Sequence, residues 1–457
     1  MLSTKRVLRW LMAPMLAVGA LALPATAGAQ DVHSANMTLL KNVPSVDAAA
    51  QSDLAFQGRY AYAGTYSGLR VIDISKPAKA RQVAFEPCNG GQFDVSVWGR
   101  LLFASVDDPQ TNAGCNAQDT IASEPGAWEG VRIFNISNPR DPRLIKSVAT
   151  DCGSHTHTLV PAGKRTLYIY VSSFGLTASA LGPNCRQFHG KISVIKVNLK
   201  HPKRAKVVAE PAVDVPVFDA SRLELDDQLP PGALLDTTGC HDITVLKPLK
   251  LAAAACLSVG QLWDIHKITA PKPIYTLSTP EIRVWHSSAF TWDGERVAFG
   301  DEAGGGALGR CRAQDYPDTG AIWIYEVATG AELGNYKLPR FFGEEDHCTM
   351  HNYNFVPGVD RDILVSAAYH GGTTVADVTD PANPVEIGFY EAASPHALTW
   401  SSYWHNGFIY ANDIARGFDV FKLTHPAVRA AAKLSRDNPQ TQDVLFEDED
   451  EEEEDDD

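Results

Sequence analysis

The stretch Gly68-Leu-Arg-Val-Ile-Asp-Ile-Ser-Lys-Pro77 decides the fold. It reads as a β-strand with alternating faces, ending in a polar turn that proline stops. The unit recurs. Gly130-Val-Arg-Ile-Phe-Asn-Ile-Ser-Asn-Pro139 and Gly372-Thr-Thr-Val-Ala-Asp-Val-Thr-Asp-Pro381 are close copies. Looser copies open at Gly190, Gly260, Gly320 and Gly417, which makes seven. Before most copies lie two more β-type runs, such as residues 241–245 and 251–255, or 351–355 and 362–366. A fourth run follows most of them, such as residues 143–148 or 385–390. Four strands repeated seven times predict an all-β chain, a seven-bladed β-propeller of four-stranded antiparallel blades. A single blade cannot bury both faces, so the blades must stack in a ring. The last copy has no fourth strand after it. Met37–Val43 is expected to supply one and close the ring, which protects the edges an open array would expose. The 457 residues, enough for about three average domains, then form one unit.

The repeat core Leu-Arg-Val-Ile-Asp-Ile-Ser-x-Pro resembles the LVIVD repeat of bacterial exported propellers, over roughly residues 37–423. The resemblance implies a propeller and an exported protein. By analogy, the His-rich channel strands also resemble the propellers of the selenium-binding protein and methanethiol oxidase family. That likeness implies copper-dependent oxidation.

The histidines carry a register. His157, His241, His286, His351 and His396 each stand at the start of the innermost strand of a blade, in blades three to seven. Blade two has Phe93 there, followed by Asp94, and blade one has Ser52 or Asp53. Ring symmetry places the five imidazoles at one end of the channel, pointing inward. Neutral imidazole is a common ligand for zinc, copper, iron or nickel, so these five are the metal candidates, with copper or zinc the expected ion. His155, two residues before His157, falls on the same side, and His347 belongs to a loop above. The second strand of each blade returns to this face. It brings Asp301, Glu302, His370 and Asp413, with Asp107 and Asp108, to where they would orient rings, bind metal or act as acid or base. Two other readings of the register stay open: a hydrogen-bond scaffold inside the blades, and a metal-free ligand pocket. His33, His189, His201, His266, His405 and His425 lie outside the register and are read as solvated or structural.

Several classes fall away. The formal charge is −15, but residues 447–457 are eleven consecutive acids, read as a solvated, disordered tail. The body keeps a mild −7, which offers no basic face to a nucleic acid. No glycine cluster sits between a strand and an amphipathic helix, so a phosphate loop is not expected. Nor does the chain contain a nucleophile elbow or a CxxC pair.

The N-terminus has the form of an export signal. Lys5, Arg6 and Arg9 precede an apolar run to about Leu23, and Ala27-Gly28-Ala29 fits a cleavage site. The expected layout is a signal over 1–29, a propeller over 30–425 and a C-terminal extension over 426–457. No transmembrane segment is expected after cleavage. In an oxidising compartment the eight cysteines are expected as disulfides. Blade geometry favours sequential pairs: Cys88 with Cys115, Cys152 with Cys185, Cys240 with Cys256, and Cys311 with Cys348. If reduced, Cys240 and Cys348 would be soft-metal ligands beside register histidines.

The functional expectation is a periplasmic, cell-surface or extracellular monomer. Its His-lined face would bind a transition metal and act on a small molecule by oxidation or hydrolysis. The rival expectation is a non-enzymatic scaffold whose loops hold a protein partner.

Overall fold

A computed structural model describes residues 30–45, 49–225, 232–393 and 397–445. Seven antiparallel sheets follow one another around a ring, four of four strands and three of five among the described residues. Each blade runs from an inner strand at the channel to an outer strand at the rim. The inner strands are Gln51–Gln57, Val95–Trp98, Thr156–Ala162, Asp242–Leu246, Trp285–Phe290, Tyr353–Phe355 and Thr399–His405. Ring closure is as expected: Met37–Val43 pairs antiparallel with Gly417–Leu423, from Met37 opposite Leu423 to Val43 opposite Phe418.

The repeat unit is the third strand of its blade, and its residues explain themselves locally. The opening glycine has a positive φ, +145° at Gly68 and +142° at Gly130. A side chain there would also strike the fourth strand: a Cβ would lie 2.1 Å from Glu86 O at Gly68 and 2.1 Å from Val148 O at Gly130. Only glycine suits both demands. The acidic or amide residue near the strand's end folds the turn. Asp73 Oδ1 accepts from the Ser75 amide and hydroxyl, Asn135 from the Ser137 amide, and Asp377 from the Thr379 amide and hydroxyl.

The apolar residues of the strands bury themselves between blades. One cluster joins Leu54 and Phe56 of blade one to Tyr403, Tyr410 and Phe418 of blade seven. Equivalent clusters fill the other six junctions. Each fully buried Phe or Leu contributes about 1.5–3 kcal/mol of transfer free energy, so the ring is held by side-to-side packing. A further cluster lies outside the blades, where Phe218, Leu223 and Leu225 of an insertion cover Leu257 and Val284.

All four sequential disulfides are present: Cys88–Cys115, Cys152–Cys185, Cys240–Cys256 and Cys311–Cys348. Cys240 and Cys348 are thereby removed as thiolate ligands. No helix among the described residues is long and apolar enough to cross a membrane. The proposed signal and the acidic tail lie outside the described residues.

Part of the C-terminal extension returns into the ring. Arg436–Asp437 pairs with the end of Gln51–Gln57, and Thr441–Gln442 pairs parallel with the end of Asp242–Leu246. Between them the side chains bond to the inner strands of other blades. The Asn438 side chain exchanges two bonds with the Val97 backbone. Thr441 Oγ1 donates to Leu159 O, and the Gln442 amide exchanges two bonds with Phe290. This segment lies across the end of the channel where the inner strands finish, opposite the end where the histidines start.

Candidate metal centre

The amide that begins each inner strand fixes the true register. His155, His241 and His351 each donate their backbone N–H to the second strand, to Ser172 O, Ala255 O and Ala367 O at 2.9, 2.7 and 2.9 Å. These three positions are equivalent. With His286 from blade five they bring four imidazoles around the mouth of the channel. His155 Nε2 and His241 Nε2 face each other at 2.8 Å. The His241 and His286 ring centroids are 3.9 Å apart, and those of His286 and His351 are 4.5 Å apart.

Glu302 joins them from the end of the second strand of blade five. Its carboxylate lies 3.6 Å from His286 Nε2 and 3.5 Å from His351 Nε2. Tyr369 Oη donates to Glu302 Oε1 at 2.9 Å. Ligand atoms of His241, His286 and Glu302 all fall within 4.8 Å of one another.

The surroundings orient the rings. His155 Nδ1 lies 2.9 Å from Asp107 Oδ2, which fixes Nδ1 as the protonated nitrogen and turns the Nε2 lone pair toward His241. His351 Nδ1 donates to Trp400 O at 2.6 Å, so its Nε2 is likewise the free donor atom. Phe174, from the insertion after blade three's second strand, covers His155 and His241 at ring distances of 5.0 and 5.6 Å.

The electrostatics suit ligation. Burial, then the neighbouring imidazoles, holds His241 well below the ordinary histidine range. Burial pushes His286 down to about 3. Both rings are therefore neutral at neutral pH, as ligation requires. Burial raises Glu302, but its imidazole neighbours and the Tyr369 hydroxyl outweigh it, so the carboxylate stays ionised at neutral pH. The Nδ1 atoms of His241 and His286 are buried and meet no hydrogen-bond partner. A buried polar atom without a partner costs about 1–3 kcal/mol.

The structure brings together His241, His286, His351 and Glu302 from the sequence candidates, and adds His155. It places His157 elsewhere. That ring is buried between blades two and three, with Nε2 2.6 Å from Ser96 Oγ and Nδ1 2.8 Å from Ser105 Oγ. Asp94 Oδ2 accepts the His157 amide at 2.8 Å. His157 thus fills the scaffold role, and the register in blade three belongs to the residue two positions earlier. His396 lies outside the described residues.

Three acid–base candidates are engaged apart from the cluster. Asp301 accepts the amides of Arg283, Val284 and Gly320, at 2.9, 2.9 and 2.8 Å, and burial pushes it up to about 6. Asp413 Oδ1 accepts the amides of Ala415 and Arg416, and burial pushes it up to about 7. His370 Nδ1 accepts the His347 amide in the loop above. All three shape turns. Asp107 and Tyr369 are the neighbours that act on the ligand set. Asp107 was visible from its place after a second strand, whereas Tyr369 gave no signal beyond its position before His370.

No curated protein matches the chain significantly. The LVIVD repeat model matches residues 50–81, which hold the first three strands of blade one and the stretch Gly68 to Pro77. The chain is a seven-bladed β-propeller whose first blade carries an LVIVD repeat, with four imidazoles and a glutamate gathered at one mouth of its channel.

Proposed function

We propose that this propeller is exported, holds one transition metal ion at the channel mouth and uses it to oxidise or hydrolyse a small molecule. His155, His241, His286 and His351 are the nitrogen ligands, and Glu302 is an oxygen ligand or proton acceptor. The observation that carries this reading is the gathering of His241, His286 and Glu302, whose ligand atoms all lie within 4.8 Å of one another, with His155 Nε2 2.8 Å from His241 Nε2. Two nitrogens on one ion at about 2.0–2.1 Å each stand about 2.9 Å apart at a right-angled site and about 3.3 Å apart at a tetrahedral one, so the pair would open slightly to admit an ion. Imidazole with one carboxylate suits copper or zinc.

A bound ion would supply Lewis-acid polarisation, or one-electron chemistry if it is copper. The chain's own groups do the rest. Asp107 fixes the tautomer of His155, and the Trp400 carbonyl does the same for His351. Tyr369 holds Glu302 oriented and stays protonated, because burial and the Glu302 charge raise it well above the phenol range. Phe174 keeps water off the first two rings. Export is supported by the four disulfides, which persist in oxidising compartments.

Elemental analysis of purified full-length protein tests the metal. About one copper or zinc per chain is expected, lost in His241→Ala and His286→Ala while both variants stay folded by circular dichroism. Equal metal in wild type and both variants assigns it to the acidic tail and rejects the site. A metal-free protein whose variants unfold supports the scaffold.

A further inference from the structure

The mild average charge of the body conceals a segregation at the closed end of the ring. The turns between first and second strands, and between third and fourth, all fall at this end. In blades three and four these turns and their flanks are residues 162–166, 198–206, 246–251 and 264–272. They hold ten Lys and Arg against a single acid, Asp264. The equivalent turns of blades five and six are residues 290–296, 326–332, 355–363 and 377–385, and they hold eight acids and two Arg. One half of the base is therefore strongly positive and the other half negative. A basic face exists that the sum over the chain hid.

The cations of this face point to water. Lys203, Arg204, Lys247 and Lys250 are all exposed. Asp264 is engaged within its own turn, where Oδ1 accepts the His266 amide at 2.8 Å and lies 2.7 Å from His266 Nδ1. Like charges gathered this way repel one another unless an anion comes to them.

The C-terminal segment leaves the ring beside this face. The Lys247 amide donates to Gln442 O at 2.8 Å, and Leu445 packs against the cluster between blades four and five. Glu447 stands two residues further on and opens the run of eleven acids. Extended, residues 446–457 reach up to about 40 Å. A four-stranded blade measures only about 15 Å from channel to rim, so the run can cross the base of blade four and continue onto blade three. A single exposed ion pair contributes little and is screened by salt. Tethering changes the balance, because it presents all eleven acids to the ten cations at an effective concentration of about millimolar.

We propose that the acidic run 447–457 folds back as an internal polyanion onto the basic base of blades three and four, and so pins the segment that closes the channel.

The test compares full-length protein with a variant that ends at Leu445. Zero-length carbodiimide coupling at low salt is expected to join the acidic run to Lys203, Lys206, Lys247 or Lys250, and about 1 M NaCl is expected to abolish it. Mixing isotope-labelled with unlabelled protein shows whether each coupling lies within one chain, as expected, or between two. Heparin probes the bared face. The truncated variant is expected to bind it at least about tenfold more tightly than full-length protein at physiological salt. Adding Lys203→Glu, Lys247→Glu and Lys250→Glu to the truncation is expected to reverse that gain, and these exposed positions leave the fold intact. The amides of Val245 and Lys247, which donate to Gln440 O and Gln442 O, are expected to exchange hydrogen faster after truncation. Couplings found only between chains would overturn the proposal and make a second copy the occupant. Equal heparin affinity with and without the run, or unchanged exchange at both amides, would overturn it as well.

Discussion

His155 and His157 stand two residues apart and do different work. The sequence Gly153-Ser-His-Thr-His157 offers two imidazoles on one side of a strand, and nothing in the pattern ranks them. Packing does. The space between blades two and three holds two serines and Asp94, which together satisfy both ring nitrogens of His157. His155 is left at the mouth with Asp107 behind it. The mouth was therefore legible as a ring of histidines, but not to the residue, because alternation in a strand cannot separate positions i and i+2. The two substitutions should separate cleanly. His155→Ala is expected to lose metal with little change in stability. His157→Ala is expected to keep metal and lose about 1–3 kcal/mol, since it leaves buried hydroxyls and a carboxylate unsatisfied. Metal content and urea denaturation on the same preparations check both.

At the scale of the strand, the repeat carries its own instructions. Its glycine admits the carbonyl of the fourth strand and its Asx turn ends the third, so blade geometry was written locally and could be read from one copy. Gly130→Ala is expected to destabilise by at least about 2 kcal/mol, because both φ and the Val148 carbonyl oppose a Cβ. Thermal melting beside Gly99→Ala controls for φ alone, since nothing lies within 4 Å of that Cβ. The turn after the second strand of blade seven makes a pH prediction. Asp413 titrates at about 7 in the fold against 3.8 as an ordinary aspartate. Between these values the native state binds the extra proton, so stability falls as pH rises from about 4 to 7 and then levels. Asp413→Asn keeps an acceptor for Ala415 and Arg416, and should flatten that fall. Denaturation midpoints measured from pH 4 to 8 report it.

Over the whole molecule, two segments fasten the ring from opposite ends of the chain. Met37–Val43 was foreseeable, because a missing fourth strand asks for one and the apolar residues of that segment offer it. The segment Asp437-Asn-Pro-Gln-Thr-Gln442 was not. It is a polar run with a proline, which reads as a loop, and its fit depends on side-chain amides pairing with backbone groups of blades two and five. No hydrophobic period announces that kind of bond. Asn438→Ala strips two bonds from Val97 and is expected to cost about 1–3 kcal/mol. Hydrogen exchange should then quicken at the Val97 amide while the outer strands stay protected.

A ring is usually pictured as a pipe, yet this one is a well. With residues 436–442 bonded across its bottom, the described residues leave the histidine end as the door, and whatever descends past the imidazoles there must climb back out past them. Turnover at the mouth would therefore be paced by departure as much as arrival. A long thread-like guest could enter only as far as its tip allows.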